Sequence, residues 1–144
     1  MISIDPGTKQ MGWAYWEDGK LKACGIAQGK DWLATLRDLP DIVVDKVCVE
    51  DQQIYRSSPI DAHSLLAVAR VVGGIAILYN PKTLKLIKPR QWKGQLPKAI
   101  CNKRTINKLS EEEKGILNNG GYKKSVLHNL YDAVGIGLWE LGRR

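Results

Sequence analysis

Three acidic residues stand where an isolated carboxylate is seldom found. Asp5 ends an alternating run typical of a β-strand, Glu50 closes a β-branched run, and Asp132 lies inside an otherwise apolar C-terminal segment. Acids seldom occupy such positions unless they are paired or bind metal. If the two strands are neighbours, their ends place Asp5 and Glu50 on one rim of a sheet, and a helix across that rim can add Asp132.

Clustered carboxylates repel one another unless a cation lies among them, and their oxygens suit Mg²⁺ or Mn²⁺. Two such ions about 4 Å apart can hold the attacking and leaving oxygens of a phosphodiester in line. The acids therefore predict metal-assisted phosphodiester hydrolysis, with two Mg²⁺ per site and Mn²⁺ as a substitute. The alternative is three unrelated acids, with Asp5 starting an Asp-Pro-Gly turn and Glu50 ending a strand.

The hydrophobic patterns around these acids indicate an α/β protein with a partly parallel sheet, in one domain over residues 1–144. Asp18-Gly19 between two β-prone runs predicts a hairpin, which gives three strands in residues 1–28. Further strands are expected at residues 41–50 and 83–89. Helices are expected at residues 31–39, at residues 61–78 with two apolar faces, after Ser110, and from Val126 to Gly142. Residues 90–108 are expected to be mostly loop or broken helix.

The net charge of +7 is concentrated in the second half of the chain. Residues 1–80 hold eight Lys/Arg and ten Asp/Glu, a balance of −2, whereas residues 81–144 hold fourteen and five, a balance of +9. Between Pro81 and Ser110 there are nine basic residues and no acid. This excess favours a polyanionic partner such as nucleic acid, and the alternative is a solvated lysine-rich surface.

Cys24, Cys48 and Cys101 are scattered and odd in number, which argues against a disulfide framework or a zinc site. We expect reduced thiols in a cytoplasmic protein. No secretory signal pattern is found, and the apolar runs are expected to be too short for a membrane span.

Three segments, "SIDPGTKQMGWAYW", "VCVEDQQIY" and "LHNLYDAVGIGLW", resemble the RuvC family of Holliday junction resolvases in the right order. The resemblance implies the RNase H-like nuclease fold, with a mixed central sheet of an antiparallel hairpin plus parallel strands, flanked by helices. "KPRQWKGQLPK" is similar to a segment of the short phage-type members. The resemblance further implies a dimeric, Mg²⁺-dependent endonuclease that nicks four-way junctions symmetrically, with the exposed face of the 61–78 helix forming the dimer.

Asp5, Glu50 and Asp132 match the family's catalytic, metal-binding acids. The family's fourth metal-site residue, an Asp or His three positions before the last aspartate, is Asn129 in this chain. An amide oxygen can bind metal but brings no charge. Three interpretations stay open: a native variant that still cuts, a natural loss of activity, or an engineered change that traps an intact complex. We favour a change that lowers catalysis.

For DNA binding, the resemblance implies an aromatic residue near the junction centre in the loop after Glu50, and Tyr55 followed by Arg56 is the candidate. Lys93 and Lys98 are the leading candidates for phosphate contacts. Supporting charges are expected from Lys88, Arg90, Lys103 and Arg104.

Two other functions stay open. One is a branched-DNA-binding protein that does not cut, which Asn129 favours. The other is an RNase H-like nuclease with a broader substrate range, since no sequence feature reads the four-way geometry. A metal enzyme that does not act on nucleic acid is disfavoured by the +9 balance of residues 81–144.

Overall fold

The computed structural model describes residues 1–53 and 61–143, and its centre is a five-stranded mixed sheet. The order is β3-β2-β1-β4-β5; β1, β2 and β3 are antiparallel, whereas β4 and β5 run parallel to β1. The strands are β1 (Ile2–Asp5), β2 (Gln10–Glu17), β3 (Lys20–Gln28), β4 (Lys46–Glu50) and β5 (Thr83–Ile87).

Six helices accompany the sheet in the described residues. Asp31 caps the first through a hydrogen bond from the Ala34 N–H, and Ser110 with Glu113 forms the predicted capping box of the fifth. The helices are α1 (Trp32–Arg37), α2 (Ala62–Tyr79), α3 (Pro89–Trp92), α4 (Lys98–Asn107), α5 (Glu111–Asn118) and α6 (Leu127–Glu140).

The two faces of the sheet are covered by different helices, because side chains alternate along each strand. On one face, Ile2 and Ile4 pack with Val71 and Ile75 of α2. On the other face, Ala14 and other residues of β2 and β3 pack against α5 and α6. The hairpin and the parallel β4-α2-β5 unit, both predicted from sequence, are confirmed.

Close contact between α6 and the sheet depends on small residues and one buried hydroxyl. A Cβ at Gly12 would lie 1.9 Å from the carbonyl oxygen of Asn129, so only glycine allows this approach. The Ser3 hydroxyl donates to the Ala133 carbonyl at 2.7 Å and accepts from Trp16 Nε1 at 2.9 Å. These contacts fix α6 over the first strand.

One sequence prediction about the elements needs correction. The strand predicted over residues 41–50 is confined to β4, and Val43 is 99% exposed, because residues 41–45 precede the sheet and β-branched character alone does not create a partner strand. Residues 90–108, predicted as mostly loop or broken helix, form a broken helix. They contain the end of α3 and the whole of α4, separated by residues 93–97.

Helix α2 leaves most of its apolar surface uncovered. Leu66, Ile77 and Leu78 are exposed, and only Val71 and Ile75 are buried. By length and composition alone this helix could cross a membrane, with 11% of its 18 residues buried; that is weak evidence, since helices of soluble proteins pass the same test. The expectation that every apolar segment is too short is therefore corrected for α2.

Candidate active site

Asp5 and Glu50 end neighbouring parallel strands at the same edge of the sheet. Ile4 pairs with Val49 in the parallel ladder, so Asp5 and Glu50 are the next residues along β1 and β4. Because side chains alternate, both share the face on which Ser3 contacts α6. The arrangement predicted for these two acids from sequence agrees with this register.

Asp132, on α6, is linked to the strand-end acid Glu50 through a shared lysine. The Lys93 ammonium lies 3.1 Å from Glu50 Oε2 and 3.7 Å from Asp132 Oδ2. Glu50 and Asp132 are both buried, and 29% of the Lys93 side chain is exposed. Residues from β4, α6 and the turn after α3 thus meet at one point.

The pKa shifts show that the three carboxylates share one electrostatic environment. Burial raises the pKa of Asp5 well above its ordinary value of 3.8, and the nearby Glu50 and Asp132 charges raise it further. Burial also raises the pKa of Asp132, against the opposing effect of Lys93. For Lys93, burial would lower the pKa, but Glu50 and Asp132 outweigh burial and raise it. Burial and mutual repulsion therefore disfavour the charged form of Asp5, and a cation bound among the acids would relieve that repulsion.

Glu50 is held by three donors from two segments. The Trp92 indole Nε1 donates to Glu50 Oε2 at 2.8 Å, and Lys93 Nζ donates to the same oxygen. Gln52 Nε2 donates to Glu50 Oε1 at 3.2 Å. Trp92 is itself fixed against α6, where a Cβ on Gly135 would lie 2.4 Å from its ring. The carboxylate orientation is thus set by α3 and by the end of β4.

The carboxylates suit a hard divalent cation, although their side chains are not grouped around one position that a cation could occupy. Within residues 1–53 and 61–143, no three His, Cys, Asp or Glu side chains are grouped to hold a metal ion. Lys93 gives a physical reason, because its ammonium lies between Glu50 and Asp132. Three acids balanced by one close ammonium still favour a second cation, and carboxylate oxygens are the ligands that Mg²⁺ prefers.

Two solved structures share this architecture over most of the chain. One is Thermus thermophilus RuvC, with a TM-score of 0.54, 16% identity, and coverage of 96% of this chain and 92% of that chain. The other is T. thermophilus RuvC in complex with Holliday junction substrate, with a TM-score of 0.52, 17% identity, and coverage of 96% and 91%. The chain has the RuvC-like fold.

This result confirms the RuvC-like, RNase H-like α/β fold predicted from sequence. No protein-family model matches the sequence, and no curated protein matches it either. At 16–17% identity, the RuvC similarity establishes the fold alone. The phage-type assignment stays a prediction.

Asn129, the predicted fourth metal-site residue, lies in the first turn of α6, three residues before Asp132. Residues three apart lie on the same side of a helix, so its amide is on the side of Asp132. The position is half-buried, and its backbone N–H donates to the Val126 carbonyl. The role of Asn129 as a metal ligand stays a prediction on the RuvC-like fold.

The predicted DNA-binding residues fall into three groups. Tyr55 and Arg56 lie outside the described residues. Lys93 is turned inward to the carboxylates, so its role as a phosphate contact requires it to leave an ion pair. The others are exposed on α3, α4 or the residues that cap them: Lys88, Arg90, Lys98, Lys103 and Arg104.

Sequence reasoning missed the residues that orient the site. Trp92 was not among the predicted site residues, yet its indole N–H donates to Glu50. Gln52 and the Ser3 hydroxyl were not considered. The available signal was proximity in sequence, since Gln52 lies two residues from Glu50 and Trp92 adjoins Lys93. The hydrogen bond from Trp92 to Glu50 joins residues 42 positions apart and has no sequence signature.

Proposed function

We propose that this protein is a divalent-metal-dependent endonuclease that cuts branched DNA, with four-way junctions as its preferred substrate. The observation that carries the proposal is the proximity of Asp5, Glu50 and Asp132 at one edge of a RuvC-like sheet, where Lys93 pairs with Glu50 and Asp132. A buried acidic cluster suits phosphodiester hydrolysis because hard cations held by carboxylates neutralise the charge that develops on phosphate oxygens.

In this mechanism Asp5, Glu50, Asp132 and the Asn129 amide hold Mg²⁺, with Mn²⁺ as a substitute and two ions per site. When bound, the metal supplies an activated water and neutralises charge on the scissile phosphate. Trp92 and Gln52 keep the Glu50 carboxylate oriented through hydrogen bonds to its two oxygens. Lys93 leaves its ion pairs and contacts the incoming phosphate.

The basic surface beside the cluster suits the DNA backbone. The exposed cations Lys98, Lys103 and Arg104 lie on α4, and Lys88 and Arg90 lie at the start of α3. Each phosphate contact steepens the dependence of binding on salt by about one unit. In the proposal, Tyr55 and Arg56, which follow Glu50 in sequence, also contact DNA near the junction centre.

The proposal includes a cytoplasmic C₂ homodimer formed through α2. Its exposed Leu66, Ile77 and Leu78 form an apolar surface of the kind that marks an interface. A two-fold dimer presents two identical sites, which suits two symmetric cuts in a four-way junction. One of the two similar structures is RuvC with a Holliday junction substrate.

The test is cleavage of labelled four-way, Y-shaped and linear DNA in Mg²⁺, Mn²⁺ or EDTA. We expect cutting of the four-way junction in either metal and none in EDTA. The Glu50→Gln variant is the matched control for contaminating nuclease, because it removes one charge at the site. Equal cutting of linear duplex would exclude the junction preference, and binding without cutting in both metals would exclude the nuclease.

A junction-binding protein with broader or no nuclease activity is the second candidate. Two features favour it: Asn129 brings no charge to the proposed metal site, and the Lys93 ammonium already pairs with both Glu50 and Asp132. In that case, the same assay gives structure-selective binding with no products in either metal.

A further inference from the structure

A cavity of about 220 Å³ lies between α3, α4 and α6, next to the carboxylate cluster. A smaller cavity of about 160 Å³ has Asp132 in its wall, and the two cavities share Lys93, Leu96 and Cys101. The larger cavity therefore adjoins the one that contains Asp132. We call the larger cavity the α4 cleft.

Cations line the α4 cleft. Arg104 and Lys108 lie four positions apart and so share one side of α4 and its C-terminal cap. Burial and the neighbouring Arg104 charge both lower the pKa of Lys108. Among the described residues that line the cleft there is no acid, and Lys93 turns its ammonium to the carboxylates. An anion between Arg104 and Lys108 would relieve their repulsion.

Aromatic surface completes the α4 cleft. Trp92 and Trp139 both line it, and each ring has a lysine ammonium over one face, Lys93 over Trp92 and Lys85 over Trp139. Trp92 is held in place by its hydrogen bond to Glu50 and by its close packing on Gly135. Indole rings stack nucleic-acid bases without preference for sequence. A cleft with two cations and two indoles matches a ligand that has both a phosphate and a planar base.

We infer that the α4 cleft binds one unstacked nucleotide of the DNA strand being cut, with its phosphate between Arg104 and Lys108 and its base against Trp92 and Trp139. The inference rests on the proposed function, because the cleft adjoins the proposed catalytic carboxylates. Extracting a nucleotide costs least where it is already unpaired. The cleft therefore gives the protein a physical means of favouring branched DNA over linear duplex.

Binding of thymidine 5′-monophosphate to the full chain in EDTA, measured by calorimetry beside inorganic phosphate, tests the inference. We expect the nucleotide to bind at least about tenfold more tightly than phosphate, since only the nucleotide gains stacking. Arg104→Ala and Lys108→Ala should each weaken nucleotide binding by about tenfold, because each removes a charge-assisted contact. Unchanged melting temperatures show that both variants are folded.

Lys103→Ala is the matched control. It removes the same charge from the same helix, at an exposed position that does not line the cleft. We expect nucleotide binding to change less than about twofold, because only the general field is reduced. Equal effects at Lys103 and Arg104, or equal binding of nucleotide and phosphate, overturn the inference. If saturating four-way junction fails to displace the nucleotide, the occupant is a free nucleotide and the inference is wrong.

Cleavage assays on the same preparations separate the inference from the proposed function. If the wild-type protein cuts junctions but binds no nucleotide, the inference about the α4 cleft is wrong and the proposed nuclease function is unaffected. If the protein binds nucleotide with the expected variant pattern but cuts no DNA, nucleotide binding in the α4 cleft is supported and the proposed nuclease function is wrong. If the wild-type protein both binds nucleotide and cuts junctions, Arg104→Ala should reduce the preference for four-way over linear DNA more than Lys103→Ala does.

Discussion

The indole Nε1 of Trp92 donates a 2.8 Å hydrogen bond to Oε2 of Glu50, across 42 positions of sequence. The same indole packs against Gly135 of α6, the helix that carries Asp132. One side chain therefore links the strand that ends in Glu50 to the helix that carries Asp132. In the proposed function Glu50 holds metal, and hydrogen-bond partners of metal ligands typically change metal affinity 10–100-fold when removed.

Trp92→Phe tests this link. Phenylalanine keeps a ring beside Gly135 but cannot donate to Glu50, so we expect Mn²⁺ affinity to fall by about tenfold. Calorimetric titration in the absence of DNA measures it. Trp32→Phe is the matched control, because Trp32 lies at the start of α1 and is 38% exposed. Equal Mn²⁺ affinity in wild type and Trp92→Phe would show that the hydrogen bond does not orient a metal ligand.

Lys93→Met should have opposite effects on stability and on metal binding. Without metal, Glu50 and Asp132 lose their counter-charge, so the free energy of unfolding in EDTA should fall by roughly 1.5–3 kcal/mol. Mg²⁺ should bind the variant more tightly than wild type in the absence of DNA, because no ammonium has to leave. Denaturant unfolding in EDTA and in Mg²⁺ measures both effects.

Lys98→Met is the control for Lys93. The Lys98 charge acts on Asp5 and Asp132, but Lys98 is exposed and forms no ion pair with them within the described residues. A loss of stability as large as that of Lys93→Met would mean that general charge, rather than direct contact, explains the effect.

Asn129→Asp should raise cleavage and metal affinity. The change adds a negative charge three residues before Asp132, on the same side of α6, so we expect faster cutting at saturating Mg²⁺. Single-turnover cleavage of a four-way junction measures it. His128→Asp is the control variant, because it adds a charge one position away, about 100° around the helix. If Asn129→Asp cuts no faster than wild type, position 129 is not a metal ligand.

Glu113 predicts a loss of stability in acid that is independent of the active site. Arg143 donates to both Glu113 oxygens, at 2.6 and 2.7 Å, and the Leu21 N–H donates at 2.9 Å. The Arg143 hydrogen bonds, together with those from backbone N–H groups, lower the Glu113 pKa from 4.5 to about 2. A lowered carboxyl pKa stabilises the fold above pH 4.5, and this stabilisation is lost as pH falls towards 2.

The expected contribution is about 3 kcal/mol at neutral pH, because the Glu113 pKa is lowered from 4.5 to about 2. Glu113→Gln should lower the free energy of unfolding by about this amount at pH 7, with a shrinking difference from wild type below pH 4.5. Denaturant unfolding between pH 3 and 7 measures it. Glu111→Gln, on the same helix but 90% exposed at its side chain, should change little. A difference between wild type and Glu113→Gln that is constant with pH would exclude this ion pair as its cause.

The sequence predicted those parts of the fold that local pattern determines. Asp18-Gly19 fixed the hairpin, and the end of β1 at Asp5 followed from alternation. The strand predicted around Val43 was wrong, because β-branched residues favour a strand only where a partner strand is available. The helix α4 was not distinguished from a loop because basic residues interrupt its apolar periodicity.

The candidate site was predictable as a set of charges but not as a geometry. Asp5 and Glu50 were identified because each ends a strand. Lys93 was expected to face DNA, and its inward ion pair depends on where α3 packs against α6. The hydrogen bonds from Trp92 and Gln52 depend on that same packing, which no local pattern encodes.

The exposed apolar side of α2 supports a last prediction, on the proposed homodimer. Ile77 is 83% exposed, close to the exposed Leu78, so Ile77→Glu would place a charge in an apolar interface. We expect dimer affinity to fall at least about tenfold, as at interface positions that must be desolvated. Sedimentation equilibrium measures it. Val43→Glu, which changes a 99% exposed residue before β4, is the matched control. An unchanged dimer in Ile77→Glu would exclude this side of α2 as the interface, and a wild-type monomer would exclude the dimer itself.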